Sequence, residues 1–233
     1  MSGKSYFSLA LTTYNRANQL IPYINRYCEY EYIDEILISD DCSEDYELLK
    51  KENFSSKVKL YKNDINLMAY KNKLKVLSYV KNNWTLLIDS DNFFDTNYIE
   101  ALHYEQSSVG LDDNIIYCPV AALPRFSYYD IENVTIDKEF WNQNHHSQGV
   151  FFNTGNMCLS KKAISVLIAN YEIDPIKNPF VECKYMNYLF LKYGFTLKPL
   201  KNMTYQHGLG DDSFYMSHRE HHMKFDSTFN WIL

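Results

Sequence analysis

"NNWTLLIDSDNFFD" (82–95) is the stretch on which the fold turns. Trp84 to Ile88 suit a buried strand, and Asp89 and Asp91 follow at once. The apolar run is unbroken, as expected of a strand covered on both faces. Spacing of i, i+2 puts both carboxylates on one side of extended backbone. Two carboxylates that close repel unless a positive charge joins them. The simplest partner is Mg²⁺ or Mn²⁺, which takes one or two carboxylates together with phosphate oxygens. On their own the letters also fit a capping cluster before a helix at 96–107, with Asp95 and Thr96 as caps. They fit poorly the phosphatase motif D-x-D-x-T/V, because Phe93 stands where Thr or Val is needed.

Working outward, the first hundred residues alternate strand and helix. "YFSLALTTYN" (6–15) is a strand ending in polar residues, and "RANQLIPYINRYCEY" (16–30) a helix. Glu35 to Ser39 form a strand, "EDYELLKKEN" (44–53) a short helix and "KVKLYKND" (57–64) a strand. "NLMAYKNKLKVLSYVKNN" (66–83) is helical, and 96–106 is helical after the strand at 84–91. Such alternation predicts an α/β fold, a mostly parallel central sheet flanked by helices. Ligands of these sheets bind outside the carboxyl ends of the strands. Three polar clusters share that address: "TTYN" (12–15), "SDD" (39–41) and "DSD" (89–91).

The second half is less regular. Strands are expected at 114–123 and 195–200, a short strand and helix within 156–171, and a helix at 180–194 closed by Gly194. "YQHGLGDDSFY" (205–215) reads as a loop. No linker or repeat divides the 233 residues, so one domain is expected, about 1–105 and about 106–233 being its two halves.

Composition excludes several classes. Net charge is −6 with no basic stripe, which argues against a nucleic-acid binder. No apolar run approaches the roughly 20 residues of a membrane span. The five scattered cysteines, with no C-x-x-C, read as reduced thiols. A polar start without a signal sequence completes the expectation of a cytoplasmic protein.

"LALTTYNR" (9–16), "IDEILISDDCSED" (33–45), "NDINLMAYKNK" (63–73) and "WTLLIDSDN" (84–92) together resemble a family 2-type glycosyltransferase of the GT-A (Rossmann-like) fold. "FFNTGNMCLSKKA" (151–163), "FVECKYMNYLFLKYGF" (180–195) and "YQHGLGDDSFY" match its acceptor-side segments more loosely. The resemblance implies a metal-dependent transferase moving a sugar from a nucleotide-diphospho-sugar, UDP-linked by expectation, to a glycan, protein or lipid hydroxyl with inversion. Mn²⁺ or Mg²⁺ is the implied cofactor.

Carried over residue by residue, Thr12 and Tyr14 take the base and ribose contacts, and Asn15 and Arg16 complete that motif. Asp41 matches the uracil-contacting aspartate. Lys73 aligns with an arginine of the family, Lys71 does so after a small shift, and either suits a diphosphate. Ser90 joins the nucleotide contacts. Asp89 and Asp91 are the implied metal ligands, and His207 the late histidine that joins the metal or the diphosphate. Asn153, Gly155, Asn156 and Asp212 are placed at the acceptor. The family's "N-x-G" glycine is absent, since Met68 stands there. The catalytic base belongs to an acidic pair that, counted back from Gly194, falls on Glu182 and Cys183; Glu182 takes the role after a one-residue slip. Two other readings stay open: a sugar-phosphate nucleotidyltransferase, whose glycine-rich phosphate loop "TTYNRANQ" (12–19) lacks, and a non-catalytic nucleotide- or glycan-binding module.

Overall fold

A computed structural model describes residues 6–124, 126–144, 156–170, 182–208, 220, 230 and 232–233. Strands Phe7–Thr13 (β1), Ile33–Asp40 (β2), Val58–Lys62 (β3) and Trp84–Asp89 (β4) lie parallel in the order β3-β2-β1-β4. Between them run helices Ala17–Cys28 (α1), Tyr46–Lys51 (α2) and Met68–Leu77 (α3); Thr96–Ser108 (α4) follows. Alternate residues of β1, β2 and β4 enter two separate cores, which is why these strands are apolar in consecutive positions, whereas β3 at the sheet edge is interrupted by Lys59 and Lys62. Leu9, Leu11, Ile38 and Ile88 pack with Leu20 and Ile24 of α1 and Tyr98 of α4. Ala10, Leu37 and Leu87 pack on the other face with Tyr70 and Val76 of α3. Each fully buried leucine, isoleucine or valine among them contributes roughly 1.5–3 kcal/mol.

The second half extends the same sheet. Asn92–Phe94 (β5), Ile115–Leu123 (β6), Phe126–Ser127 (β7), Met157–Ser160 (β8) and Thr196–His207 (β9) continue it in the order β4-β8-β6-β9-β5, with β7 on β6. Helices Lys138–Asn144 (α5), Lys161–Ala169 (α6) and Glu182–Lys192 (α7) complete it. Gly194 closes α7 with φ +85, as the sequence predicts.

Two features go beyond the sequence reading. The last strand was expected to stop at 200, yet β9 runs on to His207, passing a bulge where Asn202 has φ +64. The three-residue β5 was not expected at all; it pairs antiparallel with the end of β9, Asn92 opposite His207. A strand so short carries no period of its own, and only the partner reveals it. Asp95, expected to cap α4, occupies the N-cap position but sends its carboxylate 2.6 Å to Arg26 instead.

Candidate active site

Lateral register brings the three polar clusters into one row. Thr12 of β1 stands opposite Ser39 of β2 on one side and Asp89 of β4 on the other. All three lie two residues past Ala10, Leu37 and Leu87, so they share the face covered by α3 and α7.

Asp89 is the hub. Its Oδ1 accepts the Thr12 hydroxyl at 3.2 Å, and Lys73 Nζ lies 3.0 Å from each of its carboxylate oxygens. The Lys73 side chain is only 1% exposed, an uncommon position for an ammonium without an anion. Lys73 Nζ also lies 3.9 Å from Cys183 Sγ, which sets the first turn of α7 over this spot. The Asp89 backbone N–H donates to Asn156 Oδ1 at 3.0 Å. Ser90 is buried, and its N–H donates to the Thr12 carbonyl at 3.1 Å.

Asp91 is pushed up to about 6, first by burial and then by the neighbouring Asp89, against the opposing charges of Arg16 and Lys73. Its carbonyl accepts the Gly208 N–H at 3.0 Å. A Cβ at 208 would overlap that carbonyl oxygen, so only glycine allows this approach. Together with the β5–β9 pairing, which sets His207 opposite Asn92, this contact brings the end of β9 against the Asp91 backbone. Two carboxylates short of positive charge, made of hard oxygen donors, fit Mg²⁺ or Mn²⁺. Among the described residues no three His, Cys, Asp or Glu side chains converge to cage an ion. The remaining positions would be for water and phosphate oxygens, the usual arrangement for Mg²⁺.

The other nucleotide-side candidates divide between ligand-facing and structural positions. Tyr14 is about half exposed. Asn15 is spent on structure: its N–H donates to Ser43 Oγ at 2.8 Å and its Oδ1 accepts Glu44 N–H at 2.9 Å. The free end of α1 is capped by Asp45, which accepts Ala17 N–H at 2.8 Å, and not by Asn15. Asp41 Oδ1 accepts Leu67 N–H at 2.7 Å and Asn63 Nδ2 at 2.9 Å, tying the β2–α2 loop to the start of α3. Burial pushes the Asp41 carboxyl up. Asn63 also donates to Asn72 Oδ1 at 3.0 Å, which accepts Ser39 Oγ at 2.6 Å. This amide lattice escaped the sequence reading, because lone asparagines carry no periodic signal. Lys71, two residues before Lys73, is half-buried on α3.

On the acceptor side, Asn156 is 1% exposed and its side-chain oxygen accepts the Asp89 backbone N–H. Glu182 opens α7, its side chain lying outside the described residues, as do Asn153, Gly155 and Asp212.

A sequence model described as "Glycosyl transferase family 2" matches residues 8–166. The chain belongs to this family. The match spans β1 to α6 and so includes the whole Thr12–Asp89–Lys73 cluster. A search of curated protein sequences finds no significant match. Among solved structures, S. aureus TarS residues 1–349, in complex with UDP-GlcNAc, superposes with TM-score 0.66 at 14% identity, over 91% of this chain and 60% of that one. The mannosyltransferase PcManGT from Pyrobaculum calidifontis, in complex with GDP-Man and Mn²⁺, gives 0.68 at 10% identity, over 98% and 66%. The chain thus spans about two thirds or less of these two relatives. At such identities the likeness is one of fold, the GT-A type.

Met68 holds φ +65 at the place where the resemblance's N-x-G pattern expects glycine. Left-handed backbone costs a side-chain-bearing residue roughly 1–2 kcal/mol. Glycine would relieve this but adds unfolded-state freedom worth about 0.4–1 kcal/mol. Met68→Gly should therefore raise the thermal midpoint by about 1–3 °C in a domain of this size. A lower midpoint would mean that methionine's own packing outweighs the strain.

Lys73→Met should cost about 1–3 kcal/mol, less than a fully buried pair because Asp89 is 27% exposed. Adding Asp89→Asn should restore most of that stability, since a neutral pair leaves no uncompensated charge. Chemical denaturation of both variants checks this; equal stability of the single and double variants would refute the coupling.

Proposed function

We propose that this chain transfers a sugar from a nucleotide-diphospho-sugar, UDP-linked in the first instance, to a hydroxyl of a glycan, protein or lipid, with inversion. The observation that carries the reading is the row Thr12–Asp89–Lys73 at the carboxyl edge of the sheet, with the crowded Asp91 beside it. That UDP-GlcNAc occupies one structural relative and GDP-Man with Mn²⁺ another supports a nucleotide-sugar donor.

In this reading Tyr14 offers an exposed ring to stack the base, and Thr12, Asp41 and Ser90 line the nucleoside. Asn15 acts indirectly, by holding the two loops together. Arg16 and Lys71 face the diphosphate. Lys73 keeps Asp89 ionised and oriented. Asp91, with Asp89, would hold the cation, whose charge stabilises the departing nucleoside diphosphate. Glu182 takes the proton of the acceptor hydroxyl as its oxygen bonds to the anomeric carbon and the sugar–phosphate bond breaks. Asn153, Gly155 and Asp212 are assigned to the acceptor. Asn156, first assigned there too, is better read as a support of Asp89.

A panel of nucleotides with Mn²⁺, read by thermal shift, tests the reading. A nucleoside diphosphate should raise the midpoint in a metal-dependent way, by about 2.7 kcal/mol of stabilisation at a hundredfold excess over Kd. Indifference to every nucleotide would favour a non-nucleotide function.

A further inference from the structure

We propose that Cys183 is a modification site: its sulfur exchanges with small disulfides, and the mixed disulfide so formed blocks the donor row. The chemistry stands on the thiol's own surroundings, and its consequence for donor binding rests on the nucleotide-sugar reading above. None of the five cysteines is disulfide-bonded, but their surroundings differ in kind. Cys118 and Cys158 are fully buried in the sheet, and burial pushes the first thiol up to about 12 and the second well above its ordinary value. Cys28 is partly exposed, yet burial pushes its thiol up as well. Cys42 donates its S–H to the Asp64 carbonyl at 3.5 Å, a contact that keeps the proton on sulfur.

At Cys183 the direction is reversed. Its Sγ accepts from Lys73 Nζ at 3.9 Å, so the contact favours the thiolate. The ammonium that donates is itself held in place, 1% exposed and 3.0 Å from each Asp89 carboxylate oxygen. Asp89 draws on the same charge and tempers the effect. A second source of positive potential is the first turn of α7, where Cys183 follows Glu182 at the head of an 11-residue helix. A neighbouring ammonium and a helix N-terminus are the two settings that lower a cysteine's pKa and make it reactive. Cys183 is also partly exposed, so a reagent can reach it. The Cys183 thiolate attacks one sulfur of a disulfide R–S–S–R. A new S–S bond forms as the old one breaks, and the other half leaves as the thiolate RS⁻. Cys183 is oxidised and the departing half is reduced; a dithiol reverses the step. The group R then stands against Lys73, between α7 and the donor row.

The test is reaction of the folded full chain with dithiobis-nitrobenzoate, the released thiolate giving the rate and peptide mass spectrometry the site. Cys183 should react first, about tenfold faster than Cys28 or Cys42, the other partly exposed thiols. Cys183→Ser should lose that fast phase. Lys73→Met should slow it about threefold, a tenfold loss of thiolate being partly offset by the greater nucleophilicity of a more basic sulfur. Lys73→Arg, which keeps the charge, should restore the parental rate. Should the Lys73 variants not fold, the order of the cysteines and Cys183→Ser decide. UDP with Mg²⁺ should slow the reaction at Cys183 and leave that at Cys28 unchanged. The modified chain should bind UDP about tenfold more weakly until a dithiol restores it, whereas Cys183→Ser should bind alike before and after treatment. First reaction at another cysteine, an equal rate in Lys73→Met, or unaltered UDP affinity once Cys183 is modified overturns the proposal. If the parent chain binds no nucleoside diphosphate at all, the reading above fails, and the order of reaction still judges the thiol chemistry by itself.

Discussion

Asp91→Asn should abolish metal-dependent binding of UDP and lower turnover on the order of 10³-fold, the equivalent of about 4 kcal/mol of lost leaving-group stabilisation. Asparagine keeps the volume and the backbone contact to Gly208, so what it removes is charge. Calorimetry with and without Mn²⁺ reads the first effect. Unchanged affinity would move the metal seat elsewhere. The same substitution should flatten a pH profile. The folded, metal-free chain holds a proton on Asp91 up to about pH 6, whereas a carboxyl of ordinary value 3.8 has already lost it on unfolding. The stability tied to that proton is therefore fully present below the ordinary value and is lost as pH rises through 6. A cation must displace the proton, so Mn²⁺ affinity should climb with pH to about 6 and then level off. Asp91→Asn should abolish both trends.

Glu182→Gln should leave donor binding intact while transfer falls by roughly 10²–10⁴, the usual worth of a general base. The position is supported by its neighbour: Cys183 Sγ lies 3.9 Å from Lys73 Nζ, so the first turn of α7 overhangs the donor row. Glutamine preserves shape and hydrogen bonding but takes no proton. Near-parental turnover with equal Kd for UDP would assign the base to another carboxylate.

The donor half was legible because its signals are local and repeated. β1, β2 and β4 each carry a mostly apolar stretch that ends in polar residues, and the parallel register carries those endings to one edge. The letters put the three clusters at that edge, and the register then sets Thr12 between Ser39 and Asp89. What the letters did not carry were contacts made once, across long separations. Lys73 was read as a partner for phosphate, and only packing reveals that its ammonium lies against Asp89. Asn15 was read as completing the nucleotide motif, and only the structure shows its amide bridging two loops. Asn156 was assigned to the acceptor from its neighbours in sequence, but burial turns it toward Asp89. The delivery of His207 depends on β5, too short to show a period, and on a missing Cβ at Gly208.

Asn15, Cys42 and Met68 each hold φ between +52 and +66, one in each of the three loops that follow β1, β2 and β3. None is glycine. Each corner holds a left-handed angle on a residue that carries a side chain, which glycine would adopt at less cost. A pattern that demands the letter G at position 68 discards this chain, whereas one that demands the turn retains it. The turn is thus a feature of the backbone and not of one letter. Glycine at 15 would remove the amide that bridges two loops, so Met68 is the corner at which easing the backbone can be tested cleanly.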